Sequence, residues 1–404
     1  IGGFAVNHPA VFMTTTKTGS MSVLVLAQVA GLSLWFVSSA TLPGMIAETG
    51  MSSFQQAALS SAVQLGFVLG AFASAFLGLA DRFDPRRFLA FSACLAALAN
   101  ILLAFVSPDS FAAIGLRFFT GAMLAGVYPV GMKIATGWGL KDRGLLVGVL
   151  VAALTLGSSL PHLAALLGGA DWRMVVYATS LAALMGGLLA LVAGLGPYHA
   201  RSPDFKASSI KLAWTNKRIR LAYAGYLGHM WELYALWAWI PVAAAASYSA
   251  TMGQADAMPL ARWTAFLAIA LGAVACAFAA TAADRVGKAN IAMAAMLVSL
   301  VSGLATAASF GGPWWLTFVL FIIWGISVIP DSPQFSALVA DASPPELAGS
   351  LMTFQTGLGF LLTFATVQLT PLIAQAIGWQ ATLALLAAGP AMGLVALWPL
   401  RERH

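Results

Sequence analysis

GLADRFDPRR, residues 78–87, is one of the few polar interruptions in an apolar chain, and AADRVGK, residues 282–288, repeats its core. In both, a long apolar run leads into an Asp-Arg pair and a second apolar run leaves it. Asp81 and Asp284 are 203 positions apart. Other marks keep nearly the same offset. LSLW ends at Trp35 and YALW ends at Trp237, 202 positions later; Pro129 is echoed by Pro330 after 201. A constant offset of half the chain indicates two parallel structural repeats, as in paired helical bundles related by an axis along the membrane normal.

The composition says why membranes enter the argument. Of 404 residues, 60% are hydrophobic and 8% charged, with a mean hydropathy of +0.87. Soluble domains carry about 25% charged residues. A membrane span needs about 20 apolar residues, and such runs recur end to end, near 21–46, 54–79, 88–106, 110–136, 144–168, 173–195, 219–248, 261–282, 289–310, 314–340, 347–371 and 380–399. The runs are continuous rather than alternating, which excludes a β-barrel. The expected fold is an all-α polytopic membrane protein of twelve transmembrane helices. Its organisation is an N-terminal tail (1–20), a six-helix bundle (21–195), a linker loop (196–218), a second six-helix bundle (219–399) and a short C-terminal tail (400–404).

The net charge of +6 does not make a nucleic-acid surface, because its basic residues sit in short loops between apolar runs. With the N-terminus inside, sixteen of the twenty Lys and Arg residues fall in inner loops and tails. The positive-inside rule then places both termini and the linker in the cytoplasm, in a membrane expected to be a bacterial inner membrane. The N-terminus lacks the charge-then-apolar pattern of a removable signal. Cys94 and Cys276 lie inside apolar runs, with no metal-ligand spacing and no disulfide framework.

At this point the chain resembles the major facilitator superfamily, whose loop between spans 2 and 3 follows G-x-x-x-D-R-x-G-R-R. Here that loop reads GLADRFDPRR, with Asp84-Pro85 where the family glycine would fall. The second copy keeps Asp284, Arg285, Gly287 and Lys288, and span 4 carries RFFTGAMLAG, residues 117–126. The resemblance covers essentially the whole chain. It implies alternating access between two bundles, with spans 1, 4, 7 and 10 around a central cavity. It also implies a cytoplasmic gate at Asp81, Arg82, Arg86, Arg87, Asp284 and Arg285. On helix-end electrostatics, Asp81 is expected to pair with Arg82, Arg86 and Arg87; the arginines could equally be topology anchors.

Ionisable groups inside the spans are few, and each costs at least ~2.5–3.5 kcal/mol at mid-bilayer on insertion scales. Arg117 and Lys133 lie on span 4, His162 on span 5, His229 and Glu232 on span 7, and Asp331 on span 10. Glu232 is about 13 residues, roughly 20 Å, into its helix, with His229 on nearly the same face. It is expected to couple protons or contact substrate, or else to be a structural carboxylate locked to donors. Asp331 and Gln334 sit between Pro330 and the residues after Pro333, where the helix must break beside a cavity or within protein. Lys133 could bind an anion, pair with Asp331 or snorkel to the cytoplasm. On the resemblance, Arg117 takes part in proton coupling, on a face shared with Gly121 and Tyr128. Gln28 and Trp35 of span 1 complete the candidate cavity, and Trp231, Tyr234, Trp237 and Trp239 could stack on a substrate.

These residues imply a secondary transporter, not an enzyme: no cofactor loop, nucleophile elbow or nucleotide-binding loop is visible, so no catalytic residue, metal or cofactor is expected. The expected partners are a small-molecule substrate, the proton as coupling ion and the lipid bilayer, with the chain a monomer. Cavity-facing Arg117 and Lys133 favour a small organic metabolite or anion. The alternative is a proton-coupled drug efflux antiporter, although span 5 has Gly157 and Pro161 without the adjacent Gly-Pro pair of that group. Asn-rich motifs of nitrate porters are absent from spans 5 and 11.

Overall fold

The computed structural model describes residues 16–139, 142–169, 171–199 and 210–401. Lys141, Arg201, Lys206 and Arg403, with most of both predicted tails and the middle of the predicted linker, lie outside them. The helices, in order, are α1 (Lys17–Leu32), α2 (Val37–Thr49), α3 (Ser53–Leu77), α4 (Leu79–Arg82), α5 (Pro85–Leu102), α6 (Phe111–Leu124), α7 (Tyr128–Thr136), α8 (Arg143–Leu167) and α9 (Trp172–Ala190). After the linker come α10 (Ile210–Thr215), α11 (Lys217–Tyr248), α12 (Gln254–Val286), α13 (Lys288–Ala308), α14 (Trp314–Ser327), α15 (Ser332–Ala342), α16 (Pro345–Leu386) and α17 (Ala388–Leu397).

Ten of the described helical segments are long and apolar enough to cross a membrane. The predicted seventh span is α11, 32 residues long and outside those ten; Trp, Tyr, His and Glu lower its hydropathy without breaking it. The predicted eleventh and twelfth spans lie in α16 and α17. Gly378 interrupts α16 with φ 82°, a conformation suited to glycine. Apolar side chains face outward all round the molecule: Phe76, Phe91, Phe105, Phe278 and Val395 are each more than half exposed. Polar residues such as Gln28, Asn100, Arg117 and Glu232 are buried. That inversion suits a hydrocarbon solvent. This is an integral membrane protein.

Three predicted spans are broken near their middles. Span 1 breaks over residues 33–36, between α1 and α2; span 4 over 125–127, between α6 and α7; span 10 over 328–331, between α14 and α15. Pro129 stands in the first turn of α7, where a missing N–H costs nothing, and its repeat-mate Pro330 lies within the break before α15. The repeated prolines therefore mark repeated breaks. Small residues set the closest approaches. A Cβ on Gly121 would overlap the Val63 backbone, so only glycine lets α6 lie against α3.

Charged residues collect at the two ends of the molecule. One end, the charged face, holds Lys17, residues 81–87, Asp142, Lys288 and Asp341; Glu48 and Arg173 pair at the opposite face. At the charged face Arg86 donates to both carboxyl oxygens of Asp84, at 3.0 and 2.6 Å. That bond holds the Asp84 carboxyl below the usual aspartate range. Lys17 does the same to Asp142. Lys288 pairs with Asp341 at 2.6 Å.

Candidate functional site

A cavity of about 450 Å³ opens between the two halves of the chain, within the usual range for small-molecule sites. Its walls come from α3, α7, α8, α15 and α16. Asp81, Lys133, Thr136 and Ser350 mark the end at the charged face; Phe67 and Phe360 mark the inner end. The lining is mostly apolar, with Tyr128, Ser336, Thr353 and Thr356 among its polar members.

Aromatic rings from both halves form a roof beyond Phe67 and Phe360. Phe67 and Phe360 pack at 4.5 Å between centroids, Trp35 lies 4.9 Å from Phe67 and 5.5 Å from Phe360, and Tyr234 lies 5.1 Å from Phe360. Phe36 and Trp237 extend the cluster, each close to Tyr234. Hydrogen bonds between the halves reinforce the closure. Ser39 Oγ donates to the Ala238 carbonyl (2.5 Å), Ser61 Oγ to Gln368 Oε1 (2.7 Å) and Arg262 Nη1 to the Ala165 carbonyl (3.0 Å). The cavity is thus open at one end and sealed at the other.

The candidate residues fall into four places. Tyr128 and Lys133 line the cavity, together with the gate residue Asp81. Lys133 Nζ pairs with Asp81 and donates to the Ala80 carbonyl at 2.9 Å. Of the expected alternatives for Lys133, the pairing with Asp331 is corrected: its partner is Asp81, within its own half. Of the arginines expected near Asp81, Arg86 turns back onto Asp84. The reason is the inserted Asp84-Pro85: Asp84 caps α5 from one residue before the proline and captures the nearest guanidinium.

Arg117 is fully buried and absent from the cavity wall. Its Nη1 donates to Asn100 Oδ1 (3.0 Å) and its Nη2 to the Leu34 and Trp35 carbonyls, both at 2.9 Å. The break between α1 and α2 exposes those carbonyls, and the C-terminal end of a helix favours a cation. Arg117 and Gly121 share a face of α6, but Tyr128 lies beyond the break at 125–127, on α7. Gln28 Nε2 bonds the Val127 carbonyl in that break at 2.9 Å. His162 is buried within α8, and Trp35 belongs to the roof.

The third place lies behind the cavity wall. Glu232 Oε1 accepts from Ser299 (2.6 Å) and Oε2 from the Trp324 indole (2.9 Å). His229 Nδ1 stands 2.9 Å from Asp331 Oδ1, both side chains sealed from solvent. His229 sits between the Tyr226 and Phe335 rings, 6.0 and 5.6 Å away. Tyr226 packs on Gly359 of α16, next to the cavity's own Phe360, and Phe335 precedes the cavity's Ser336. One aromatic layer therefore separates this carboxylate pair from the cavity. Gln334 is buried in the same region of α15.

The fourth place is the second gate loop. Asp284 and Arg285 close α12 at the charged face, and neither lines the cavity.

The sequence reading missed the α3 and α16 walls. The signal for α16 is a stripe of small residues at helical spacing, Ser350, Thr353, Thr356 and Gly357, in an apolar helix.

A family model described as the Major Facilitator Superfamily matches residues 24–367. The chain belongs to that superfamily. No curated protein sequence matches it. Among solved structures, the nucleoside transporter NupG is similar at a TM-score of 0.71 and 14% identity, covering 96% of this chain and 100% of that one. The xylose transporter XylE from E. coli, in a partially occluded inward-open conformation, is similar at 0.74 and 11%, covering 96% and 100%. A crystal structure of a D-xylose-proton symporter gives 0.74 and 13%, covering 95% and 97%. At such identities the likeness is one of fold. As a member of the superfamily, the chain is a non-enzymatic secondary transporter of small molecules.

Proposed function

We propose that this transporter moves a small organic solute by alternating access, driven by protons through the buried Asp331–His229 and Glu232 groups. Twelve spans form two six-helix bundles, 21–195 and 219–399, joined by a cytoplasmic linker, with both termini cytoplasmic and the chain acting as a monomer in a bacterial inner membrane. The charged face is then the cytoplasmic face, and the cavity is an inward-open one. The observation that carries this reading is the cavity between the halves, open at one end and sealed at the other by an inter-half aromatic roof. Rocking the halves would part the roof and close the Asp81 end.

The preference for an anion loses its support. Arg117 is spent on the α1–α2 break, and Lys133 is neutralised by Asp81. What supports proton coupling is position: a buried carboxylate–imidazole contact lies one aromatic layer from the solute path, on the helix break between α14 and α15. A change of state that moves α15 would change access to that pair. Glu232, held by two donors, is the second acid.

The test uses liposomes containing the purified protein and an entrapped pH dye, screened with a metabolite panel. A transported solute should carry protons with it, and Asp331→Asn should abolish the dye signal while solute exchange persists. Solute accumulation that survives collapse of the pH gradient would exclude coupling. A cavity cysteine at Thr356 that reacts from one side only under every condition would exclude alternating access.

A further inference from the structure

Trp35 and Trp237 are the two tryptophans that the internal repeat aligns, in LSLW and YALW. They share an unusual state. Both are buried, at 2% and 0% exposure, and neither indole N–H has an acceptor among the described residues. The other fully buried indoles do: Trp239 donates to the Val367 carbonyl at 3.0 Å and Trp324 to Glu232 at 2.9 Å. Buried donors without partners are rare and point to a missing ligand or a function. Two at matching positions of two repeats point to one ligand gripped from both halves.

Their surroundings define its chemistry. Both belong to the roof. Trp35 packs on Phe67 and Phe360, which line the cavity, and both tryptophans lie 5.7 Å from Tyr234. An indole N–H donates and cannot accept, so the ligand must present acceptors. The rings around it offer flat faces, which suit a cyclic solute. The roof contains no charged side chain, and the cavity's charged lining residues, Asp81 and Lys133, pair with each other at the far end. An ion would leave water there without a counter-charge.

We infer that the substrate is an uncharged, ring-bearing organic solute with hydrogen-bond acceptors on two edges, clasped between the Trp35 and Trp237 indoles. This rests on the transport reading above and narrows it. In the present state the roof rings close on one another and the donors wait unpaired. When the roof parts, solute replaces ring-to-ring contacts and both N–H groups find oxygen or ring-nitrogen acceptors.

The experiment measures thermal stabilisation of the whole purified protein by three sets of probes at matched millimolar concentration. They are uncharged rings (pentoses, hexoses, nucleosides, lactams), benzoate as an anionic ring, and tetraphenylphosphonium as a lipophilic cation. Stabilisation by an uncharged ring is expected. Trp35→Phe and Trp237→Phe keep the aromatic packing and remove only the donor, so each should weaken that binding about tenfold, the worth of one hydrogen bond. Each should leave the ligand-free melting temperature close to that of the wild type. Stabilisation confined to benzoate or the phosphonium overturns the inference, as does failure of every uncharged ring or undiminished binding by both Phe variants. Labelling of a Ser39→Cys roof cysteine from the opposite face separates the two readings. If the cysteine becomes reactive while the uncharged rings fail, the substrate class is wrong and transport stands. If it never reacts, the transport reading itself fails.

Discussion

Replacing Arg117 with Ala should cost stability before it costs coupling, and the structure fixes the size. The guanidinium is fully buried and serves three acceptors, Asn100 Oδ1 and the Leu34 and Trp35 carbonyls. Each buried acceptor left without a donor costs about 1–3 kcal/mol, so three cost about 3–9 kcal/mol before relaxation. Relaxation is limited. The amide of Asn100 is itself tied to the Val176 carbonyl, Thr179 and Ser180, at 3.3, 3.3 and 2.9 Å, so its oxygen cannot turn away. The two carbonyls lie in the helix break, on residues sealed from solvent. Breaking a buried charged network costs about 3–5 kcal/mol, which meets the lower end of the range. Arg117→Lys should recover part of this, since one ammonium cannot span three divergent acceptors. The assay is a melting curve of detergent-purified protein, read by fluorescence-detected gel filtration, beside pH-driven uptake in liposomes. Both substitutions should lower the melting temperature, Ala more than Lys, with uptake falling in proportion to folded protein. An Arg117→Ala protein that melts like the wild type but no longer couples would refute this reasoning and restore Arg117 to the proton path.

Three further outcomes follow from the same geometry. Glu232→Gln should fold normally, because the amide oxygen can accept from Trp324 while its NH₂ donates to a reversed Ser299 hydroxyl; proton-driven accumulation should be lost, and wild-type accumulation would remove Glu232 from the coupling. Ser61→Ala deletes the inter-half bond to Gln368, worth about 0.5–1.5 kcal/mol, so labelling of the cavity from the opposite face should rise roughly two- to tenfold; no rise would mean that the bond does not hold the seam. Asp84 has its carboxyl lowered by Arg86, so it stabilises the fold above the ordinary aspartate value of about 4 and loses that contribution as pH falls through its lowered value. Melting temperatures of the wild type and Asp84→Asn should therefore differ slightly at neutral pH, by about 0–1 kcal/mol in stability because the pair is partly exposed, and converge in acid; a gap that widens in acid would reverse the assigned sign.

The fold was legible where single residues dictate backbone. Apolar length marked the helices, and Pro129 and Pro330 marked two of the three breaks. The third, at residues 33–36, itself holds neither glycine nor proline. Its cause is tertiary: Arg117, more than eighty residues away, supplies donors for the freed carbonyls. Intramembrane charge likewise identified Glu232, His229 and Asp331, because burying them is costly wherever they point. Their partners were not legible. Ser299 and Trp324 lie 67 and 92 residues beyond Glu232, on helices whose rotation no local pattern specifies. The same gap left the partner of Lys133 open, since it depends on how far α7 shifts after the break at 125–127.

Duplication separates the two kinds of chemistry better than charge does. The paired features, Trp35 with Trp237 and Pro129 with Pro330, sit at the roof and the helix breaks, where both halves must move alike around one solute. The unpaired features differ in kind. In the first half the Arg117 Nη groups serve neutral acceptors, two of them backbone carbonyls. In the second half Glu232 and His229, whose matching positions are Ala30 and Ala27, join Asp331 at a broken helix. In the proposed rocking mechanism the matched features serve access and the unmatched acids serve coupling. The proposal therefore places the coupling groups in the second half and gives the pair of indoles to the solute.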